Sequence, residues 1–141
     1  MYSTGNGLRF YHRIYKHDLA TAQVVPQNKA VIGNSGPIEV DGISGSIEIL
    51  ALVNEAITIA DSKKITITLE HSDTGLDSSW SILGTLYTLT ASSGSGSLAK
   101  NTELDRFALK STVKRYLHAK IMTDDSSATG SLDILPVYLP R

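Results

Sequence analysis

The sequence TVKRYLHAKIMTDDSSATGSLDILPVYL, residues 112–139, decides the fold class of this chain. Across residues 113–121 a mostly apolar set at the odd positions alternates with a mostly polar set at the even positions. A period of two is typical of a strand that buries one face. Residues 132–139 are apolar almost throughout, which predicts a strand with little exposed surface. We therefore predict a hairpin whose two strands are joined by the polar loop 123–131.

Arg115 is the one charged residue in the apolar set of the first strand. A guanidinium on a buried face needs a partner, so we expect a carboxylate or a neighbouring subunit beside it. Its neighbours follow the alternation more simply, with Tyr116 expected to pack and Lys114 expected to stay in water.

Short apolar runs separated by turn residues continue through the rest of the chain. Residues 64–72, KITITLEHS, form the clearest strand, with His71 expected as a hydrogen-bonded histidine at its rim. Residues 46–53 carry apolar side chains on both faces, which predicts a central strand, and residues 80–90 place Trp80, Ile82 and Leu86 on one face. The pattern of residues 105–109 suits a strand and a short helix equally well, and we prefer the strand because its neighbours are strands. Roughly eight such runs predict an all-β, jelly-roll-like antiparallel β-sandwich.

Composition limits the class of protein further. A length of 141 residues suits one domain. The 13 basic and 14 acidic side chains nearly balance, so we expect no attraction to nucleic acid or to an anionic membrane. The chain has no cysteine, which excludes disulfides and thiolate metal sites. It shows neither a signal peptide nor a run of about 18 apolar residues, so we expect a soluble protein.

The N-terminal residues 1–19 differ from the body, and we predict an extended arm (1–19) followed by one β-sandwich domain (20–141). Residues 1–17 hold three basic groups and no carboxylate, whereas the rest holds ten basic and fourteen acidic groups. Aromatic residues and arginine are enriched at interface anchors, so we predict that the arm binds a partner. The predicted partner-binding residues are Tyr2, Arg9, Phe10, Tyr11, Arg13, Tyr15 and Lys16. An ordinary first strand and a nucleic-acid stacking segment are the alternatives, and three charges are few for the second.

Motifs for catalysis or cofactor binding are weak. Residues 94–99, GSGSLA, match a permissive dinucleotide fingerprint, but the strand–helix–strand context that the motif requires is missing. No two of the four histidines have the spacing of a local metal site, and no GxSxG sequence is present. Asp124 and Asp125 are interpreted as solvated turn residues, because a spaced calcium-loop pattern is absent. We therefore predict no enzyme, no cofactor and no metal site.

The chain resembles the capsid cement, or decoration, proteins of tailed bacteriophages. The resemblance rests on residues 107–109 (FAL) leading into 114–117 (KRYL), and on 129–133 (TGSLD) before a final apolar strand. It covers about the last 80 residues, in short motifs, and does not include the arm. It implies a non-enzymatic virion protein that binds the outer capsid surface, bridges major capsid protein subunits and forms a homo-oligomer at a symmetry axis of the shell. The implied location is the capsid surface, after assembly in the host cytoplasm.

Two other classes of protein share these sequence features. A phage tail, baseplate or head-completion protein would have the same cysteine-free, Ser/Thr-rich β character. A carbohydrate-binding module would share the sandwich, but usually displays several exposed aromatic side chains on one face. Outside the arm the aromatic residues lie mostly within apolar strands; they are Trp80, Tyr87, Phe107, Tyr116 and Tyr138.

Overall fold

A computed structural model describes residues 18–40, 47–110 and 112–137, together with the backbone of residues 2–3, 10–13 and 138. These residues form twelve strands: β1 (Tyr2–Ser3), β2 (Phe10–Arg13), β3 (Ala20–Val24), β4 (Lys29–Ile32), β5 (Ile38–Glu39), β6 (Ile47–Ile59), β7 (Lys64–Ser72), β8 (Ser81–Thr90), β9 (Gly96–Leu98), β10 (Glu103–Ala108), β11 (Tyr116–Thr123) and β12 (Thr129–Tyr138). The helical element among them is a 3₁₀ turn at Asp77–Ser79. No helix of the described part has the length and apolar character of a membrane span.

The strands build two antiparallel sheets that pack face to face, so the predicted all-β sandwich is confirmed. One sheet has seven strands in the order β1-β2-β12-β6-β10, with β3 beside β12 and β9 beside β6. The other has five, in the order β4-β11-β7-β8, with β5 beside β11. The strand number exceeds the predicted eight because five of the strands are only two to four residues long.

The main core lies between the two sheets, where the predicted apolar faces meet. Ile65, Ile67 and Leu69 of β7 are fully buried in it, as are Ile49 and Ala51 of β6. On its other face β6 buries Leu50 in a second, smaller cluster with Leu135 and Val137 of β12. The prediction that β6 is central is confirmed, since β12 and β10 flank it.

The predicted hairpin of residues 112–139 is wrong, although both of its strands exist. β11 pairs with β7 and β4 in the five-stranded sheet, whereas β12 pairs with β6 in the other. The loop of residues 124–128 therefore crosses from one sheet to the other. A period of two identifies which face of a strand is buried, but it carries no information on which strand becomes the neighbour.

Other strand predictions have mixed outcomes. Residues 103–108 form a strand, as preferred, and pair with β6. In β8, however, Ile82 is 70% exposed while Leu86 is buried, so their predicted common face is wrong. A register shift between β7 and β8, where Glu70 is opposite Ile82 and Leu69 is opposite Gly84, reverses the alternation between these positions. Arg115 precedes β11 and is half exposed, and its guanidinium has the expected carboxylate, Glu39, at 3.0 Å.

Candidate functional site

The arm lies mostly outside the described residues. β2 pairs by its backbone with the end of β12, where Arg13 is opposite Val137 and His12 is opposite Tyr138. β1 pairs with β2, which places the backbone of Tyr2 opposite that of Tyr11. Of the predicted partner-binding residues, Tyr2, Phe10, Tyr11 and Arg13 thus lie in strands, and the predicted binding role of their side chains is untested. Arg9, Tyr15 and Lys16 are outside the described residues, and the division into arm and body stays a prediction.

A buried histidine and a glutamate meet on the outer face of the five-stranded sheet. His118 and Glu70 are directly opposite each other on β11 and β7, so their side chains share one face. His118 Nε2 lies 2.7 Å from Glu70 Oε1, and the histidine is only 5% exposed. The polar set of β11 was expected to face water, and for His118 this expectation is wrong. Neighbouring chain segments cover it, with Gly36 packed against its Cβ.

Trp80 covers the other side of this histidine. Its indole stacks on the His118 imidazole with ring centroids 3.7 Å apart and an interplanar angle of 18°. Trp80 comes directly before β8, whose Ile82 is opposite Glu70, and this register brings the indole to the His118–Glu70 pair. The tryptophan is partly exposed, so part of its ring remains at the surface.

Hydrogen bonds fix the loop that carries Trp80 to the end of β7. The buried Ser72 hydroxyl accepts hydrogen bonds from the Thr74 and Gly75 N–H groups at 3.1 and 2.8 Å, and it contacts the Ser79 hydroxyl. Ser79 in turn donates to the Leu76 carbonyl. Gly75 has a φ of +75°, a conformation that glycine adopts without strain. The indole is therefore held by a fixed loop before any ligand arrives.

These elements enclose a cleft of about 500 Å³. Its walls combine an aromatic ring, apolar groups, two carboxylates, an imidazole and an ammonium group. The lining residues are Ile32, Pro37, Glu70, Gly75, Asp77, Trp80, His118 and Lys120. A cleft of this volume lies within the range of small-molecule sites, and four of its eight lining residues are ionisable, which is a more polar lining than such sites usually have.

The same outer face exposes apolar side chains. Ile32 and Met122 flank Lys120 on β4 and β11, Ile82 lies on β8, and Leu76 lies in the loop between β7 and β8. Together with Val24 of the other sheet, these four are the large apolar residues that are exposed in the described part of the chain. Exposed apolar surface is thus concentrated on one side of the sandwich.

His71 lies at the rim, as predicted, and its hydrogen bond is present. The Lys114 N–H donates to His71 Nδ1 at 3.2 Å, which leaves the proton of the neutral ring on Nε2. Burial, and then the positive charge of Lys114, lowers the pKa of His71 below 6.5, and the carboxylate of Asp73 opposes this shift.

Asp125 is a structural residue, so its interpretation as a solvated turn residue is wrong. It is 2% exposed and accepts hydrogen bonds from the Ser127 N–H at 2.8 Å, the Ala60 N–H at 2.7 Å and the Ser127 hydroxyl at 2.9 Å. The Ser127 and Ala60 N–H groups lower the pKa of Asp125. Asp124 is exposed and accepts from the Lys64 N–H at 2.8 Å.

No group of three or more metal-ligating side chains converges among the described residues. The arrangement around Trp80 is suited to binding through stacking and hydrogen bonds. Sequence reasoning missed this cleft because its parts come from four separate segments. The one indication in the sequence was the single tryptophan, Trp80, beside a polar loop. A tryptophan in that position can be either a core residue or a ring on which a ligand stacks, and the sequence alone does not distinguish the two.

Comparisons with known proteins assign no relative. No family model matches the sequence, and no curated protein matches it.

Proposed function

We propose that this protein is a non-enzymatic structural protein of a tailed-phage virion, which binds the outer capsid surface and bridges major capsid protein subunits. The observation that carries the proposal is the one-sided exposure of Ile32, Leu76, Ile82 and Met122 on the five-stranded side of the sandwich. A rigid β body with one adhesive face suits lattice attachment, because many modest contacts add avidity across a repeated surface. The resemblance of residues 107–109, 114–117 and 129–133 to cement proteins supports the same class.

The arm has a separate part in this proposal. Among the described residues, its strand β2 pairs with Val137 and Tyr138 at the end of β12. A basic and aromatic segment is suited to contact a neighbouring copy or a capsid subunit, because aromatic residues and arginine are enriched at interface anchors. Self-association around a symmetry axis would bring arm and acidic body of different copies together.

The proposed capsid-binding face is tested with two matched variants, Ile82→Asp and Val24→Asp. Both side chains are similarly exposed, at 70% and 66%, but they belong to opposite sheets. An apolar side chain of this size contributes about 2 kcal/mol when buried, so Ile82→Asp should weaken binding to purified empty capsids at least about thirtyfold. Val24→Asp should bind like the wild type. Equal binding by both variants, or binding to isolated tails but not to capsids, would contradict the proposal.

The arm is tested by deleting residues 1–17 and, more conservatively, by changing Arg9, Arg13 and Lys16 to glutamate. Loss of capsid binding with an unchanged circular dichroism spectrum is expected for both variants. Full binding by the charge-reversed protein would show that the arm has no such role.

A further inference from the structure

We infer that the cleft around Trp80 is a binding site for a short neutral saccharide. The inference goes beyond the proposed attachment to a capsid, and it rests on the geometry of the five-stranded sheet alone. The cleft volume of about 500 Å³ lies within the range of small-molecule sites.

The aromatic wall has the chemistry that a sugar ring requires. The Trp80 indole stacks on His118, is partly exposed, and lines the cleft together with Pro37. The π face of an indole carries partial negative charge, whereas the C–H groups of a pyranose are slightly positive. A sugar therefore stacks on such a surface through its apolar side while its hydroxyls remain free for hydrogen bonds.

The polar wall has donors and acceptors that no neighbour uses. Within the described residues, Asp77 and Lys120 make neither an ion pair nor a side-chain hydrogen bond, yet both line the cleft. The carboxylate of Glu70 uses Oε1 for His118, and its Oε2 has no partner there. Each saccharide hydroxyl both donates and accepts, so a cleft lined by carboxylates and an ammonium group suits it.

The charge of the cleft selects against acidic sugars. Glu70 and Asp77 are two carboxylates against the single ammonium group of Lys120. A uronic or sialic acid would add a third negative charge, whereas a neutral sugar meets no repulsion. Trp80 and His118 are held in place by stacking and by the hydrogen bond to Glu70, so ordering these two side chains costs little conformational entropy on binding.

The single tryptophan makes the test direct. The purified full-length protein is titrated with neutral oligosaccharides, namely the malto-, cello-, chito-, manno- and galacto-series, while Trp80 emission is recorded and calorimetry checks the affinity. We expect at least one series to change the emission saturably, with a submillimolar dissociation constant. Absence of any response up to about 10 mM, or preference for acidic oligosaccharides, would overturn the inference.

Substitutions then locate the site. Asp77→Asn and Lys120→Ala should each weaken binding at least tenfold, and Trp80→Phe should weaken it in calorimetry. Asp73→Asn is the matched control, since Asp73 is exposed in the same loop but does not line the cleft. Unchanged affinity in both Asp77→Asn and Lys120→Ala would place any sugar elsewhere and contradict the inference. Because the isolated protein is used, the result is independent of capsid binding.

Discussion

The indole of Trp80 stacks on the imidazole of His118 at a centroid distance of 3.7 Å, and Glu70 Oε1 lies 2.7 Å from Nε2 of the same imidazole. This three-residue contact joins the loop before β8 to β7 and β11. It stabilises the outer face of the five-stranded sheet and at the same time forms one wall of the cleft. Since Trp80 is the single tryptophan of the chain, its fluorescence reports on the contact without interference.

His118→Ala should destabilise the protein by about 2–3 kcal/mol. The change removes the stacking contact and leaves the partly buried Glu70 carboxylate without its partner. Urea unfolding followed by circular dichroism measures the loss, and the Trp80 emission of the folded variant should shift to longer wavelength. His71→Ala serves as the control, because His71 is more exposed and does not touch the tryptophan, so the emission should stay unchanged. Wild-type stability of His118→Ala would refute the structural role.

The lowered pKa of His71 makes stability depend on pH. The pKa of His71 is lower in the folded chain than its ordinary value of 6.5. At a pH just below 6.5, His71 is therefore protonated to a greater extent in the unfolded chain than in the folded chain. The free energy of unfolding should therefore fall as the pH drops from 6.5 through the folded pKa. His71→Asn keeps an acceptor for the Lys114 N–H but does not titrate, so its decline over this interval should be smaller. Urea unfolding at a series of pH values makes the comparison.

A substitution at Asp73 tests the titration of His71 in the opposite direction, because it should enlarge the pH dependence that His71→Asn reduces. The Asp73 carboxylate raises the pKa of His71 against burial and Lys114. Asp73→Asn should lower that pKa further and make the decline in stability steeper. Identical pH profiles for the wild type, His71→Asn and Asp73→Asn would contradict the assignment.

Asp125 should govern acid stability. Its pKa is lowered by the Ser127 and Ala60 N–H groups, so its contribution is present above 3.8, the ordinary value, and is lost as the pH falls through the folded pKa. Asp125→Asn should reduce stability at neutral pH and flatten the acid part of the unfolding profile. Asp77→Asn should leave the profile unchanged, because Asp77 is exposed and its side chain makes no hydrogen bond to another described residue. An unaltered profile in Asp125→Asn would disprove this role.

Gly130→Ala should be strongly destabilising because a backbone approaches this glycine. A Cβ at Gly130 would lie 2.5 Å from the Ala56 carbonyl oxygen and 2.6 Å from Ile57 Cα, and its φ is +109°. Gly94 also has positive φ, +134°, but has no atom within 4 Å of an added Cβ. Backbone strain should lower the free energy of unfolding by about 1–2 kcal/mol in Gly94→Ala. In Gly130→Ala the close approach should add about 2 kcal/mol to this loss. Equal losses in thermal unfolding would show that the close approach has no energetic role.

Gly84 leaves room for a ring from the opposite sheet. A Cβ at Gly84 would lie 2.5 Å from Phe107 Cε2, so Gly84→Ala should cost about 1–3 kcal/mol through overpacking. Phe107→Leu removes the colliding edge, and the double variant should lose less stability than the sum of the two single losses. Additive losses in urea unfolding would contradict the packing explanation.

The sequence by itself determined the fold class and much of the core. Alternation of period two identified β7 and β11 and their core faces, because a strand places successive side chains on opposite sides whatever its neighbours are. A nearly continuous apolar run identified β12. The sequence also led us to expect a carboxylate or a neighbouring subunit beside Arg115, and the carboxylate is present although Arg115 is half exposed rather than buried. Glu39, which is 76 residues away, could not be named from the sequence.

Tertiary structure alone decided which strands are neighbours and what their outer faces bring together. β11 and β12 are consecutive, yet they lie in different sheets, because pairing depends on contacts between distant segments. The burial of Asp125 follows from the same crossing, as its carboxylate reaches the Ala60 N–H. The cleft has this origin too: His118, Glu70 and Trp80 are ordinary residues in their own segments, and only the register of β11, β7 and β8 places them in contact.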